Sequence, residues 1–127
     1  MARKRRLDVA ENEALMNHFR SPRNVGEIPG ADAIANQSNP VCGDSMRLFL
    51  KLEGGRVVDA KFKTFGCASS IAASSALTEL IRGRSIEEAA RLSTADIEKE
   101  LGGLPPAKRH SAELVIEALK QALAARA

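Results

Sequence analysis

The stretch from residue 45 to 65 constrains the fold most, because it has the pattern of a β-hairpin. Apolar and polar side chains alternate over 45–53, which is typical of a strand with one buried face. Gly54 and Gly55 can both adopt positive φ and predict a two-residue turn into a return strand over 56–65. The side chains predicted to face the core are Met46, Leu48, Leu50 and Leu52, then Val58, Ala60, Phe62 and Thr64.

Helical patterns lie on both sides of this hairpin. Helices are predicted over 8–20 with Asp8 as the cap, over 68–82, over 85–92 with a Ser85 capping box, from Thr94 to Gly102, and over 107–125. Residues 33–36 predict a short edge strand. Because the strands come early and most helices late, we expect an α+β fold: a small antiparallel three-stranded sheet with helices packed on one face.

Size and charge narrow the class of protein. A chain of 127 residues with 44% hydrophobic side chains fits a single domain over 8–127, preceded by a basic disordered tail at 1–7. The basic start lacks the apolar run of a secretory signal, and no segment approaches the roughly 20 apolar residues of a membrane helix. We therefore expect a cytoplasmic protein with no membrane association. Nucleic-acid binding is not expected, because no Tyr or Trp accompanies the positive charge.

The two cysteines lie at the ends of predicted elements. Cys67 begins the helix that follows the hairpin, where free N–H groups and the helix dipole favour the thiolate. Cys42 lies in the loop before the first long strand. Counting outward from the turn makes Asp44 and Phe65 near neighbours, so both cysteines should lie at the same end of the hairpin.

His110 follows Pro105 and Pro106, at the start of the last predicted helix. Two cysteines, one histidine and one aspartate would complete four ligands for zinc or iron. A purely structural interpretation remains open at this point. Both thiols are then buried core residues, His110 is a solvated helix residue and Asp44 belongs to a turn.

The chain resembles the iron–sulfur cluster assembly scaffold family, of the IscU and NifU N-terminal-domain type. The matching motifs run in order along the chain and are His18–Gly26, Cys42-Gly43-Asp44, Asp59–Cys67, and Leu104-Pro105-Pro106-Ala107-Lys108 followed by His110. The resemblance implies a protein that assembles a transient 2Fe–2S cluster from iron and from sulfur delivered by a cysteine desulfurase. The cluster then passes to apo-proteins, and zinc can occupy the same site.

The resemblance also assigns roles to individual residues. It implies Cys42, Asp44, Cys67 and His110 as ligands of the cluster or metal, with Lys108 and Ser111 beside them. Family members carry an LPPVK segment that a specialised Hsp70 chaperone recognises, and this chain reads LPPAK over 104–108. A role as a scaffold, not an enzyme, is what the family implies.

Ser111 departs from the family, whose members have a third cysteine directly after the histidine. A serine hydroxyl is a poor ligand for a cluster and cannot carry persulfide sulfur. The expected function is therefore a scaffold or carrier of a labile cluster. Two alternatives stay open: a zinc-binding accessory or sulfur acceptor of a cysteine desulfurase, and a degenerate paralogue that docks onto assembly proteins without metal.

Overall fold

The computed structural model describes residues 12–39 and 43–125. Its elements are α1 (Glu13–Arg20), β1 (Ala33–Asn39), β2 (Asp44–Glu53), β3 (Arg56–Phe65), α2 (Ala68–Ile81), α3 (Ile86–Ala90), α4 (Thr94–Glu100) and α5 (His110–Ala124). The strands form an antiparallel sheet in the order β1-β2-β3, and α2 and α5 contact it. The predicted α+β fold is confirmed. The basic stretch predicted as a disordered tail, residues 1–7, lies outside the described residues.

The hairpin forms as its alternation predicts, with one change of register. Gly54 and Gly55 have φ of 58° and 76°, which only glycine adopts without strain. The pairing shifts between Lys51 and Leu52, where a bulge leaves Val58 without a partner. Val57 is therefore fully buried, whereas Val58 is 41% exposed. The prediction that Val58 faces the core was wrong, because a bulge reverses the alternation between the turn and residue 59.

The other boundaries differ from the predictions by a few residues. Asn12 is the N-cap of α1, and its side chain accepts a hydrogen bond from the Leu15 N–H, whereas the predicted cap, Asp8, lies outside the described residues. The capping box of Ser85 is confirmed, but Ser93 and not Thr94 precedes α4 as its N-cap. In place of a helix from 107, a 3-10 turn spans Pro106–Lys108 before α5. None of the helices within these described ranges is long and apolar enough to cross a membrane.

Helix α2 lies at the centre of the molecule and contacts α1, α4, α5 and β3. Its side chains are mostly alanine and serine, which let neighbouring backbones approach closely, and ten of its fourteen residues are buried. Burial of most of its surface explains why it has no extended polar face. The N-terminal end of α2, the start of β2 and the start of α5 meet at one place, and that place holds the candidate site.

Candidate metal centre

Three of the four predicted ligands come together in the structure. Asp44 is the first residue of β2, Cys67 is the N-cap of α2 and His110 is the first residue of α5. One potential ligand atom from each of them lies within 4.8 Å of the other two. Cys42, the fourth predicted ligand, lies outside the described residues, so its role stays a prediction.

Asp44 stands between the other two side chains. Its Oδ2 atom is 3.6 Å from Cys67 Sγ and 3.5 Å from His110 Nε2, and the residue is only 5% exposed. Ser70 donates a hydrogen bond of 2.5 Å to the same oxygen. A Cβ atom at Gly66 would lie 2.6 Å from Asp44 Cγ, so only glycine allows the backbone before Cys67 to pass this carboxylate undisturbed.

Cys67 is held in a setting that stabilises its thiolate. Burial is the largest influence and raises the pKa of the thiol, and the nearby Asp44 charge raises it further. Hydrogen bonds from the Ser69 hydroxyl and from the Ser70 backbone N–H outweigh both, so the pKa of the thiol falls below its ordinary value, to about 7. The start of α2 therefore presents a thiol that is substantially ionised at neutral pH, the form that binds metal.

His110 supplies the observation that points most directly to a ligand. Its Nε2 atom is buried and has no hydrogen-bond partner in the described structure, although Asp44 Oδ2 lies 3.5 Å away. A buried polar atom without a partner is costly and calls for an explanation. A metal ion bound by this nitrogen, a thiolate and a carboxylate is such an explanation. The sulfur, nitrogen and oxygen donors fit zinc or ferrous iron.

The supporting residues have distinct positions. Ser111 is fully buried, and its hydroxyl lies 3.1 Å from that of Ser70. Lys108 is half-buried in the 3-10 turn and, among the described residues, forms no ion pair with Asp44. The side chain that lies beside that carboxylate is His110. Within the segment 104–108, Leu104 is buried in the core, whereas Pro106 and Ala107 are exposed.

Sequence reasoning missed Ser70. It follows Cys67 by one helical turn, which places it on the same face of α2 as the thiol. That spacing could have identified Ser70 as a neighbour of the thiol. A serine in an alanine-rich helix, however, indicates only a small side chain until the residues around it are known. In the structure Ser70 contacts Asp44, Cys67 and Ser111 at once.

Comparison with known proteins identifies the family. Residues 10–126 match the NifU-like N-terminal domain. The chain belongs to this family. The iron–sulfur cluster assembly scaffold protein IscU 1 of Archaeoglobus fulgidus is 44% identical over 112 residues, which cover 88% of this chain and 73% of that protein. The scaffold protein IscU of Haemophilus influenzae is 42% identical over 120 residues, covering 91% and 94%.

Solved structures agree on the architecture. A protein of Fervidobacterium islandicum, described as an iron–sulfur cluster assembly scaffold for the SUF system, superposes with a TM-score of 0.75 at 23% identity. The alignment covers 87% of this chain and 94% of that structure. The N-terminal part of a NifU-like protein of Brucella abortus gives a TM-score of 0.64 at 20% identity. At these identities the likeness shows the fold alone.

Proposed function

We propose that this protein is a scaffold or carrier for a transient 2Fe–2S cluster, without catalytic turnover of its own. The observation that carries the proposal is that ligand atoms of Cys67, Asp44 and His110 lie within 4.8 Å of one another, while the buried Nε2 of His110 has no hydrogen-bond partner among the described residues. Membership in the NifU-like N-terminal domain family and the scaffold names of relatives at 42% and 44% identity support it. We assign the role to a single domain over residues 8–127, acting in the cytoplasm.

Each residue has a chemical role in this proposal. The Cys67 thiolate binds iron, and Cys42, two residues before Asp44 in sequence, is proposed as the second thiolate. His110 contributes its imidazole nitrogen, since histidine can replace cysteine as a cluster ligand. Asp44 adds a hard oxygen, a weaker ligand for a cluster than sulfur, and this keeps the cargo exchangeable. The cluster is cargo, so weak retention serves delivery to recipient apo-proteins.

The partners proposed are a cysteine desulfurase, an Hsp70-type chaperone and apo iron–sulfur proteins. For the chaperone, the segment 104–108 is only partly available. Leu104 is 2% exposed and packs in the core, while Pro106 and Ala107 are exposed. A chaperone can therefore reach the middle of this segment in the folded protein, and engaging Leu104 requires that side chain to leave the core.

A second candidate function is a zinc-binding accessory that accepts sulfur from the desulfurase. The observation in its favour is Ser111, which is buried beside the site and supplies no thiolate. Of the described residues, one sulfur, one nitrogen and one oxygen converge, and three such protein ligands with an open position are typical of zinc sites that bind an exchangeable fourth ligand.

Anaerobic reconstitution separates the two candidates. Purified protein is incubated with Fe²⁺, sulfide and reductant, and its visible charge-transfer absorbance and metal content are measured. The scaffold proposal predicts cluster absorbance that disappears in Cys67→Ala and that passes to an added apo-ferredoxin. The Ser111→Cys variant is expected to hold the cluster longer, because it adds a third thiolate.

The matched control is Ser74→Ala, which removes a buried α2 hydroxyl one turn beyond Ser70. It should form the cluster as wild type does. Zinc that is retained and resists replacement by iron and sulfide would favour the accessory function. An uncoloured protein without bound metal would contradict both candidates.

A further inference from the structure

Three buried side chains form a continuous hydrogen-bonded chain that ends at the candidate site. The Ser111 hydroxyl lies 3.1 Å from the Ser70 hydroxyl, and Ser70 donates to Asp44 Oδ2 at 2.5 Å. Ser70 and Ser111 are fully buried, and Asp44 nearly so. These hydrogen bonds connect three elements, since Ser111 belongs to α5, Ser70 to α2 and Asp44 to β2.

The direction of these hydrogen bonds follows from the number of protons that each hydroxyl can donate. A serine hydroxyl has one proton to donate. Ser70 gives its proton to the Asp44 carboxylate, the shorter of its contacts, because Cys67 Sγ is 3.7 Å from the same hydroxyl. The Ser70 oxygen must therefore accept from Ser111. We call this series of two hydrogen bonds, from Ser111 to Ser70 and from Ser70 to Asp44, the relay.

The relay acts on the atom at the centre of the site. Asp44 Oδ2 receives the Ser70 hydrogen bond and is also the oxygen that lies 3.5 Å from His110 Nε2 and 3.6 Å from Cys67 Sγ. Without Ser70, the Asp44 carboxylate would lose the shortest of its polar contacts at the site. With the relay in place, one oxygen is held between the imidazole and the sulfur.

We infer that Ser70 and Ser111 are positioning residues, which together orient the Asp44 carboxylate as a metal ligand. Ser111 therefore contributes to the site through Ser70 and Asp44 and does not bind the metal itself. This inference rests on the proposed function, since it assumes that Asp44, Cys67 and His110 receive a metal ion. It assigns a reason to the burial of both serine hydroxyls beside the site.

The test measures Zn²⁺ affinity by competition with a chromophoric chelator under anaerobic conditions, and Co²⁺ ligand-field bands as a second readout. Outer partners of metal ligands typically contribute about 10- to 100-fold in affinity, so Ser70→Ala should weaken Zn²⁺ binding by about that factor. Ser111→Ala, one step further away, should have a smaller effect in the same direction. The Co²⁺ bands should shift in both variants, because the carboxylate oxygen moves.

A double-mutant cycle shows whether Ser70 acts through Asp44. Once Asp44→Ala has removed the carboxylate, adding Ser70→Ala should change Zn²⁺ affinity little. Ser74→Ala is the matched control, because Ser74 is fully buried on the same helix and donates to the backbone oxygen of Ser70, not to Asp44. It should leave both the affinity and the bands unchanged.

The outcomes separate this inference from the proposed function. Wild-type protein that binds neither Zn²⁺ nor Co²⁺ would overturn the metal site, and the relay with it. Tight wild-type binding with an unaltered Ser70→Ala affinity would overturn the relay alone. So would an equal loss in Ser74→Ala, or a full additive loss when Ser70→Ala is combined with Asp44→Ala.

Discussion

Cys67 shows how far a single residue depends on its immediate neighbours. Burial and the Asp44 charge both disfavour the thiolate, yet hydrogen bonds from Ser69 and Ser70 lower the thiol pKa to about 7. These donors belong to the first turn of α2, directly after Cys67. The reactivity of this sulfur is therefore set by the local geometry of the start of the helix.

The pH dependence of alkylation reports this pKa. In the Cys42→Ser background, the rate of reaction of Cys67 with iodoacetamide should rise with pH around a midpoint of about 7, because only the thiolate reacts. Ser69→Ala should move the midpoint upward, since it removes a hydrogen bond to the thiolate. A midpoint near that of a free thiol, about 8.5, would contradict the assignment.

At the scale of the element, α2 has the composition that its position demands. The helix contacts α1, α4, α5 and β3, and its many alanine and serine side chains let these four neighbours approach. The buried serines satisfy their hydroxyls within the helix and across it, as Ser74 does with the Ser70 carbonyl and with Thr64. This close packing holds Cys67 and Ser70 rigidly against β2 and α5.

Enlarging one of these side chains tests the packing. Ala73→Leu places extra volume at a fully buried position of α2 and should lower the free energy of unfolding by roughly 1–3 kcal/mol. Urea denaturation followed by circular dichroism measures the change. Ala124→Leu, at the exposed end of α5, is the control and should stay within about 0.5 kcal/mol of wild type. Equal effects of both substitutions would argue against close packing around α2.

At the scale of the whole molecule, the site exists only when three elements are docked. The hairpin brings Asp44 beside Gly66 and Cys67, and α5 packs across β1, β2 and α2 to bring His110 to the same place. An ion bound there connects segments that are distant in sequence. Metal binding and folding are therefore coupled, because the unfolded chain offers no such arrangement.

Zinc should consequently stabilise the folded protein. At a free Zn²⁺ concentration of 100 times Kd, the expected gain is about 2.7 kcal/mol, seen as a higher midpoint in calorimetric unfolding. Chelation should reverse the gain, and His110→Ala should lose most of it at the same Zn²⁺ concentration. An increase that persists in His110→Ala would mean that the ion binds elsewhere.

The hairpin and its site residues were largely predictable, while several details were not. Alternation and the Gly54-Gly55 turn are local properties, and they carry Asp44 to the neighbourhood of Phe65, whose paired residue is Ser45. Val58 was misplaced because a bulge depends on how two strands pair. Ser70 escaped notice because a serine acquires a role only when its partners, from β2 and α5, are in place.

The sequence by itself determined the α+β class, the turn of the hairpin and the residue types able to bind metal. The reason is that periodicity and side-chain chemistry are local properties of the sequence. Tertiary structure alone decided that His110 lies beside Asp44 and Cys67, that Ser111 lies beside Ser70, and that Leu104 is buried. The physical reason is that distances between elements come from the packing of α2 and α5 on the sheet. No local pattern specifies that packing.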